Sequence, residues 1–181
     1  MVGLIFRLNS RQSWLPLFLL AALAFTARAY APLEILPMPT PLLSLKTTCK
    51  DNKGNHDCVF RGRDLFLTIH IVNNQKVPVE FPLAFRQQTG PVVKLIDRAT
   101  KAETYLRTNP ANPDLLEKWA TIAPTKSVTI EWVISKDELQ QFGAVVDLSA
   151  EITVMAHIKV GGVPIEFRGT DTLQIAGKAQ P

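Results

Sequence analysis

Apolar and polar residues alternate most regularly over Leu65 to Asn74, LFLTIHIVNN, where Leu65, Leu67, Ile69 and Ile71 stand against Phe66, Thr68, His70 and Val72. A period of two places one row on each face of an extended chain, so this segment predicts a half-buried β-strand. The period recurs over Ser127 to Ser135, with Val128, Ile130, Trp132 and Ile134 in one row, and over Ile152 to Val160, with Ile152, Val154, Ala156, Ile158 and Val160 in one row. Gly161-Gly162 then offers the positive-φ pair of a two-residue hairpin into VPIEFRG, and Thr170 to Ile175 predicts a last strand.

The intervening segments are less regular. VPVEFPLAF carries Pro78 and Pro82, and proline has no N–H for a ladder, which predicts an edge or bent strand. PVVKLIDRATKAETYL predicts a hairpin, Val92 to Ile96 and Glu103 to Leu106 flanking a polar turn from Asp97 to Lys101. In NPANPDLLEKW, Asn112 is placed as an N-cap and Pro113 at the first helical position, predicting one or two helical turns that hold Trp119 and cross between sheets. Ser135-Lys136-Asp137-Glu138 forms a capping box, and Gly143 ends the short helix it starts. Seven or eight short strands with one or two short helices predict an all-β fold, an antiparallel immunoglobulin-like sandwich. No repeat of roughly 20 to 50 residues occurs, which argues against propellers and solenoids.

The first residues obey a different pattern. Arg7 and Arg11 precede the apolar run Trp14 to Phe25, and Ala27-Arg28-Ala29 has small residues at both positions that a signal peptidase reads, which predicts a signal peptide over 1–29. The apolar run is well short of the ~20 residues of a spanning helix, so no stable membrane insertion is expected after cleavage. Residues 30–45 hold Pro32, Pro37, Pro39 and Pro41 and read as a proline-rich extended arm; 46–177 then form the sandwich domain, and 178–181 a C-terminal tail. Export implies a periplasmic or secreted protein.

Charge matters only once the leader is set aside. The chain has 20 Lys+Arg and 16 Asp+Glu, and the leader takes Arg7, Arg11 and Arg28 with no acidic residue, leaving 17 against 16. Basic residues are scattered rather than grouped, so no nucleic-acid partner is expected. Cys49 and Cys58 bracket a polar loop, and an oxidising compartment predicts a disulfide between them. A zinc site using His56 lacks a CxxC spacing and a second ligand pair. A calcium loop over Asp51 to Asp57 fails because Lys53 takes a ligand position, so Asn, Asp and Gly here read as turn residues. No cofactor and no metal are expected.

Catalytic signals are sparse. There is no G-x-S-x-G and no phosphate-binding glycine loop. His70 and His157 both fall opposite the aliphatic rows; on neighbouring strands they would make a surface metal or acid–base pair, the basis of a metal-dependent enzyme reading. Trp132 belongs to its strand's apolar row and reads as core, whereas Tyr105 and Trp119, near the long connection, are candidate contact residues.

The strand ending in VNN that leads into VPVEF, then KLIDRATKAETYL and IAPTKSVTIEWVIS, resembles the bacterial intracellular proteinase inhibitor family, over roughly Leu65 to Ser135. The resemblance implies an immunoglobulin-like fold. The chain departs from it in its export signal, its cysteine loop and Pro124-Thr125-Lys126, which lacks the glycine expected in that turn. The expected function is a non-catalytic module that binds another macromolecule, a protein partner, through loops or a strand edge. The alternative is a proteinase inhibitor inserting an extended loop, with Arg86 to Gly90 or Arg107 to Pro113 as the inserted segment and Arg86 and Arg107 as contacts.

Overall fold

The computed structural model describes residues 41–50 and 57–178. The predicted signal peptide, the arm up to residue 40 and the turn over 51–56 with His56 lie outside the described residues. Ten strands form two sheets. They are β1 (Leu43–Cys49), β2 (Asp57–Phe60), β3 (Leu65–Asn73), β4 (Val79–Phe81), β5 (Val92–Asp97), β6 (Glu103–Tyr105), β7 (Ala120–Ile122), β8 (Ser127–Ile134), β9 (Val145–Val160) and β10 (Val163–Lys178). Two helices, α1 (Leu83–Thr89) and α2 (Lys136–Gln140), and a 3-10 turn at Pro113–Leu115 lie between them.

The three-stranded sheet has order β1-β3-β8, with both pairings antiparallel. β3 is its centre, and its odd-numbered row is buried as the alternation demands. Across to β8, Leu65 faces Ile134, Leu67 faces Trp132 and Ile69 faces Ile130. The seven-stranded sheet has order β2-β10-β9-β4-β7, with β5 also on β9 and β6 on β5. The inner row of β9, from Val146 to Ile158, closes over the inner row of β3, and burial of each such aliphatic side chain contributes about 1.5–3 kcal/mol. Phe81 and Phe167 meet edge-on in this core, their ring centres 6.5 Å apart.

The all-β sandwich stands, with differences in its parts. β1, β2 and β7 add to the expected strands, and the two terminal segments merge into the single strand β10. β1 starts at Leu43, inside the stretch read as the arm, because the last proline is Pro41 and every residue after it has an amide to pair. β4 is not an edge strand: it lies between β9 and β7, since its three residues fall between Pro78 and Pro82 and contain neither. The remainder of that run, expected to be extended, is α1. Its N-cap is Pro82 and its C-cap is Gly90 at φ 76°. One pairing, β2 with β10, is parallel rather than antiparallel. The connection from β6 to β7 stays within one sheet, and Trp119 lies beyond its 3-10 turn.

Several local readings hold. Ser135 and Glu138 form the reciprocal capping box of α2. Gly161 and Gly162, at φ 58° and 82°, make the β9–β10 turn. Asn112 Oδ1 accepts from the Asp114 amide at the 3-10 turn. The Asp97 carboxylate accepts from the Thr100 and Ala99 amides in the β5–β6 turn, and these bonds, the one from Thr100 first, hold its pKa below the ordinary value.

Cys49 and Cys58 are joined, with Cα atoms 5.7 Å apart. The bond does more than close a loop. Cys49 ends β1 in one sheet and Cys58 lies on β2 in the other, so it clasps the two sheets along one side of the sandwich.

Candidate functional site

Two surfaces gather the residues with binding potential, and α1 contributes to both. Successive residues of a helix point about 100° apart. Gln87 accordingly reaches β8, while Arg86 reaches the outer face of the larger sheet.

The first surface is the free edge of β8. Gln87 Nε2 donates to the Thr129 carbonyl at 3.2 Å, so that carbonyl points away from β3. Both backbone groups of a strand residue point to the same side, and the side alternates with each residue. The backbone groups of Glu131 and Val133 therefore also face outward, and none of their ladder partners is present on that side among the described residues. Beside them is an open groove of about 410 Å³, lined by Gln87, Arg107, Asn109, Trp132, Val133 and Glu138 among others. On the outer face, Val133 pairs with Phe66, and these two apolar side chains are 41% and 47% exposed. Beneath the groove the Trp132 ring lies where a Cβ on Gly90 would stand, so the C-cap of α1 needs glycine both for its positive φ and for the space.

The second surface lies on the outer face of the larger sheet. β4 and β5 occupy the same lane beside β9, β4 against Val160 and Lys159 and β5 against Thr153 to Leu148. The lane is broken opposite Val154 to Ile158, and α1 occupies the interval in sequence. A cleft of about 400 Å³ opens there, lined by Arg86, Met155, Ala156, His157, Glu166, Phe167 and Arg168. In the β9–β10 ladder Met155 faces Arg168 and His157 faces Glu166. Arg86 stacks on Phe85 at 5.1 Å, its Nε is buried with no hydrogen-bond partner, and burial lowers its pKa. A smaller cleft of about 90 Å³ continues this surface through Met155 and Arg168 to Lys94 and Tyr105. There Lys94 pairs with Glu103 at 2.7 Å, and this bond raises the lysine's pKa.

The four candidate contact residues are thus divided. Arg107 is exposed at the β8 groove, Arg86 lines the larger cleft and Tyr105, 65% exposed, borders the smaller one. Trp119 is half-buried under Lys159, whose Nζ stands 4.2 Å from the ring centre and 4.0 Å from Glu80. His70 and His157 are not brought together. His70 lies on the outer face of the three-stranded sheet beside Thr129, and His157 on the outer face of the other, with the core between them. Alternation assigns a side chain to a face but does not say which sheet the strand joins. Among the described residues no group of three His, Cys, Asp or Glu is placed to hold a metal ion. Arg86 to Gly90 is helical up to Thr89, so it does not offer the extended backbone an inhibitory loop needs. Residues 107–112 have no regular structure and are exposed.

Sequence reasoning missed Met155, Glu166 and Arg168, and held Gln87 only as part of the segment Arg86 to Gly90 read as an inserted loop. The proline-then-glycine frame around LAFRQQT was the available signal for α1, and hence for Gln87. Nothing local marks the other three, because their meeting depends on the β9–β10 register.

No family model and no curated protein matches the chain. Among solved structures, a structural-genomics target solved by X-ray diffraction is 11% identical with a TM-score of 0.39, covering 77% of this chain and 86% of that one. A protein from Archaeoglobus fulgidus is 11% identical with a TM-score of 0.34, covering 76% and 98%. A β-glucosidase from Listeria innocua in complex with glucose is 10% identical with a TM-score of 0.35, over 76% of this chain and 16% of that one. Overlaps this slight place no function on the chain. No described helix is long and apolar enough to cross a membrane.

Proposed function

We propose that the domain is an exported, non-catalytic binding module that takes an extended segment of a partner protein alongside β8. The observation that carries this reading is the outward backbone of Glu131 and Val133 at the unpaired edge of a strand already held in register by β3. An added strand gains main-chain hydrogen bonds there, and pockets for alternate side chains give it specificity. The exposed pair Phe66–Val133 offers one apolar contact, and the groove with Arg107, Asn109 and Trp132 offers contacts on the other side. Export is supported by the disulfide, a bond of oxidising compartments, together with the three-part leader.

The test is selection of a displayed random-peptide library on the immobilised domain, followed by hydrogen exchange of the complexes. Selected peptides are expected to slow exchange at the Glu131 and Val133 amides. Val133→Pro removes one outward donor and is expected to abolish capture while lowering stability by less than about 1 kcal/mol, since Pro is tolerated on an edge. Peptides that leave both amides exchanging as in the free domain would overturn the reading, as would a selection that yields none.

A second reading, proteinase inhibition through Arg107 to Pro113, is favoured by one feature. That segment is exposed and irregular, yet it is pinned at Asn109, whose Nδ2 donates to the Gln88 carbonyl at 3.0 Å. A saturable loss of activity in titrations against secreted proteases supports it; a flat response across the panel removes it.

A further inference from the structure

We propose that the cleft between α1 and the outer face of β9 and β10 binds a carboxylate carried on an apolar body, with Arg86 and Arg168 as its cationic contacts. This site lies on the opposite sheet from the β8 edge and does not depend on it.

Three observations carry the assignment. First, the two guanidinium groups line one cleft, and neither is in an ion pair among the described residues. Lys94, Arg98 and Lys159 on the same sheet have carboxylate neighbours. Second, Arg86 is held against Phe85 with its Nε buried and unsatisfied. A guanidinium presents donors in a rigid planar fork that matches a carboxylate, and leaving such a donor unpaired in a desolvated position is costly. An incoming carboxylate that reaches the exposed part of the group offsets its charge. Third, the remaining lining is chemically divided. Met155 supplies exposed apolar surface, Ala156 and Phe167 line the cleft from the buried inner rows of β9 and β10, and Glu166, across the ladder from His157, supplies a negative charge. Two cations and one carboxylate favour a singly charged anion over a phosphate dianion, which would meet Glu166. The apolar residues favour a carbon chain or ring behind the charged group. The volume, about 400 Å³, is in the range of small-ligand clefts.

A free aliphatic acid and the C-terminus of a peptide share this chemistry. The test uses the folded domain with its Met155 methyl group labelled and observed by NMR, titrated with hexanoate, hexanol, an acetylated peptide ending in leucine, its C-terminal amide, and phenyl phosphate. Saturable shifts at Met155 are expected with hexanoate or the peptide acid and not with hexanol or the amide; the tighter of the two acids identifies the source. Arg168→Gln is exposed and leaves the core untouched, and Arg86→Gln tests the buried contact. Each is expected to weaken binding roughly tenfold or more, the loss of one charged hydrogen bond. The assignment is overturned if hexanol shifts Met155 as hexanoate does, if phenyl phosphate binds more tightly than either acid, if no probe gives a saturable shift, or if binding survives both substitutions unchanged.

Discussion

The three-stranded sheet has two edges, and they are finished in opposite ways. At β1 the edge is shut. Cys49 is bonded across to β2 of the other sheet, and the amide of the fully buried Thr47 donates to the Asp171 carboxylate on β10. At β8 the edge is only tended. A single side chain, Gln87, caps one outward carbonyl, and the two residues that follow at the same spacing stay open beside a groove. Open edges are templates for pairing with other chains, and proteins ordinarily blunt them. The proposed strand addition at β8 rests on this contrast: one edge is closed by a disulfide and a backbone-to-carboxylate hydrogen bond, the other is touched by one side-chain hydrogen bond.

The strongest way to break this contrast is to disturb what props the open edge. Gly90→Ala places a Cβ into the Trp132 ring and does so at φ 76°. Overpacking and a left-handed conformation together are expected to cost about 2–4 kcal/mol. Denaturant unfolding gives the loss, and faster exchange along β8 locates it. If β8 exchanges as before, α1 is not what holds that edge.

Removing the disulfide tests the other side. Cys49→Ala with Cys58→Ala opens a loop of sequence separation 9, and the chain-entropy estimate for such a loop is about 2–3 kcal/mol. The midpoint of unfolding is expected to fall accordingly, and the amides of β1 to exchange faster while Glu131 and Val133 keep their rates relative to global opening. Equal acceleration at both edges would mean that the two are not independent, and the comparison would fail.

What could be read from the sequence follows the same division between local and distant. Leu65 to Asn73, the box at Ser135 and Glu138, and the Gly161-Gly162 turn were legible because each is decided by residues within a few positions of one another. The alternation also showed that His70 and His157 point outward. It had no means of showing that they point to opposite sides of the sandwich, since that depends on which strands pair. α1 was obscured for a local reason: two turns are too short for a helical period to emerge, and Pro82 suits an edge strand as well as a helix start. The parallel β2–β10 pairing joins residues more than half the chain apart and leaves no mark on either segment. Of the candidate site, the sequence offered Tyr105 and Trp119 as single residues and Arg86 and Arg107 as the starts of two candidate loops. The breaks and registers that turn them into surfaces are tertiary.

One mismatch noted in the sequence does have a structural consequence, and it supplies the smallest test. Pro124-Thr125-Lys126 lacks a turn glycine, and Thr125 adopts φ 62° there, a conformation that costs a β-branched residue about 1–2 kcal/mol. Three backbone bonds hold the turn: the Thr125 amide donates to the Asn73 carbonyl at 3.0 Å, the Lys126 amide to the Ala123 carbonyl at 3.1 Å and the Asn73 amide to the Lys126 carbonyl at 2.9 Å. The buried Asn73 reinforces it through Nδ2, which donates to the Val77 and Ile122 carbonyls. Thr125→Gly leaves every one of these bonds in place and relieves the strain, at an entropic cost to the folded state of about 0.5–1 kcal/mol. The net expectation is a gain of roughly 0.5–1 kcal/mol, read as a higher unfolding midpoint. Because the turn connects β7 to β8 and is bonded to the end of β3, upstream of Glu131, the gain is expected to slow global opening and leave the difference between the β1 and β8 edges as it was. A loss of stability instead would show that the threonine is favoured at this turn, and would remove strain as the account of its conformation.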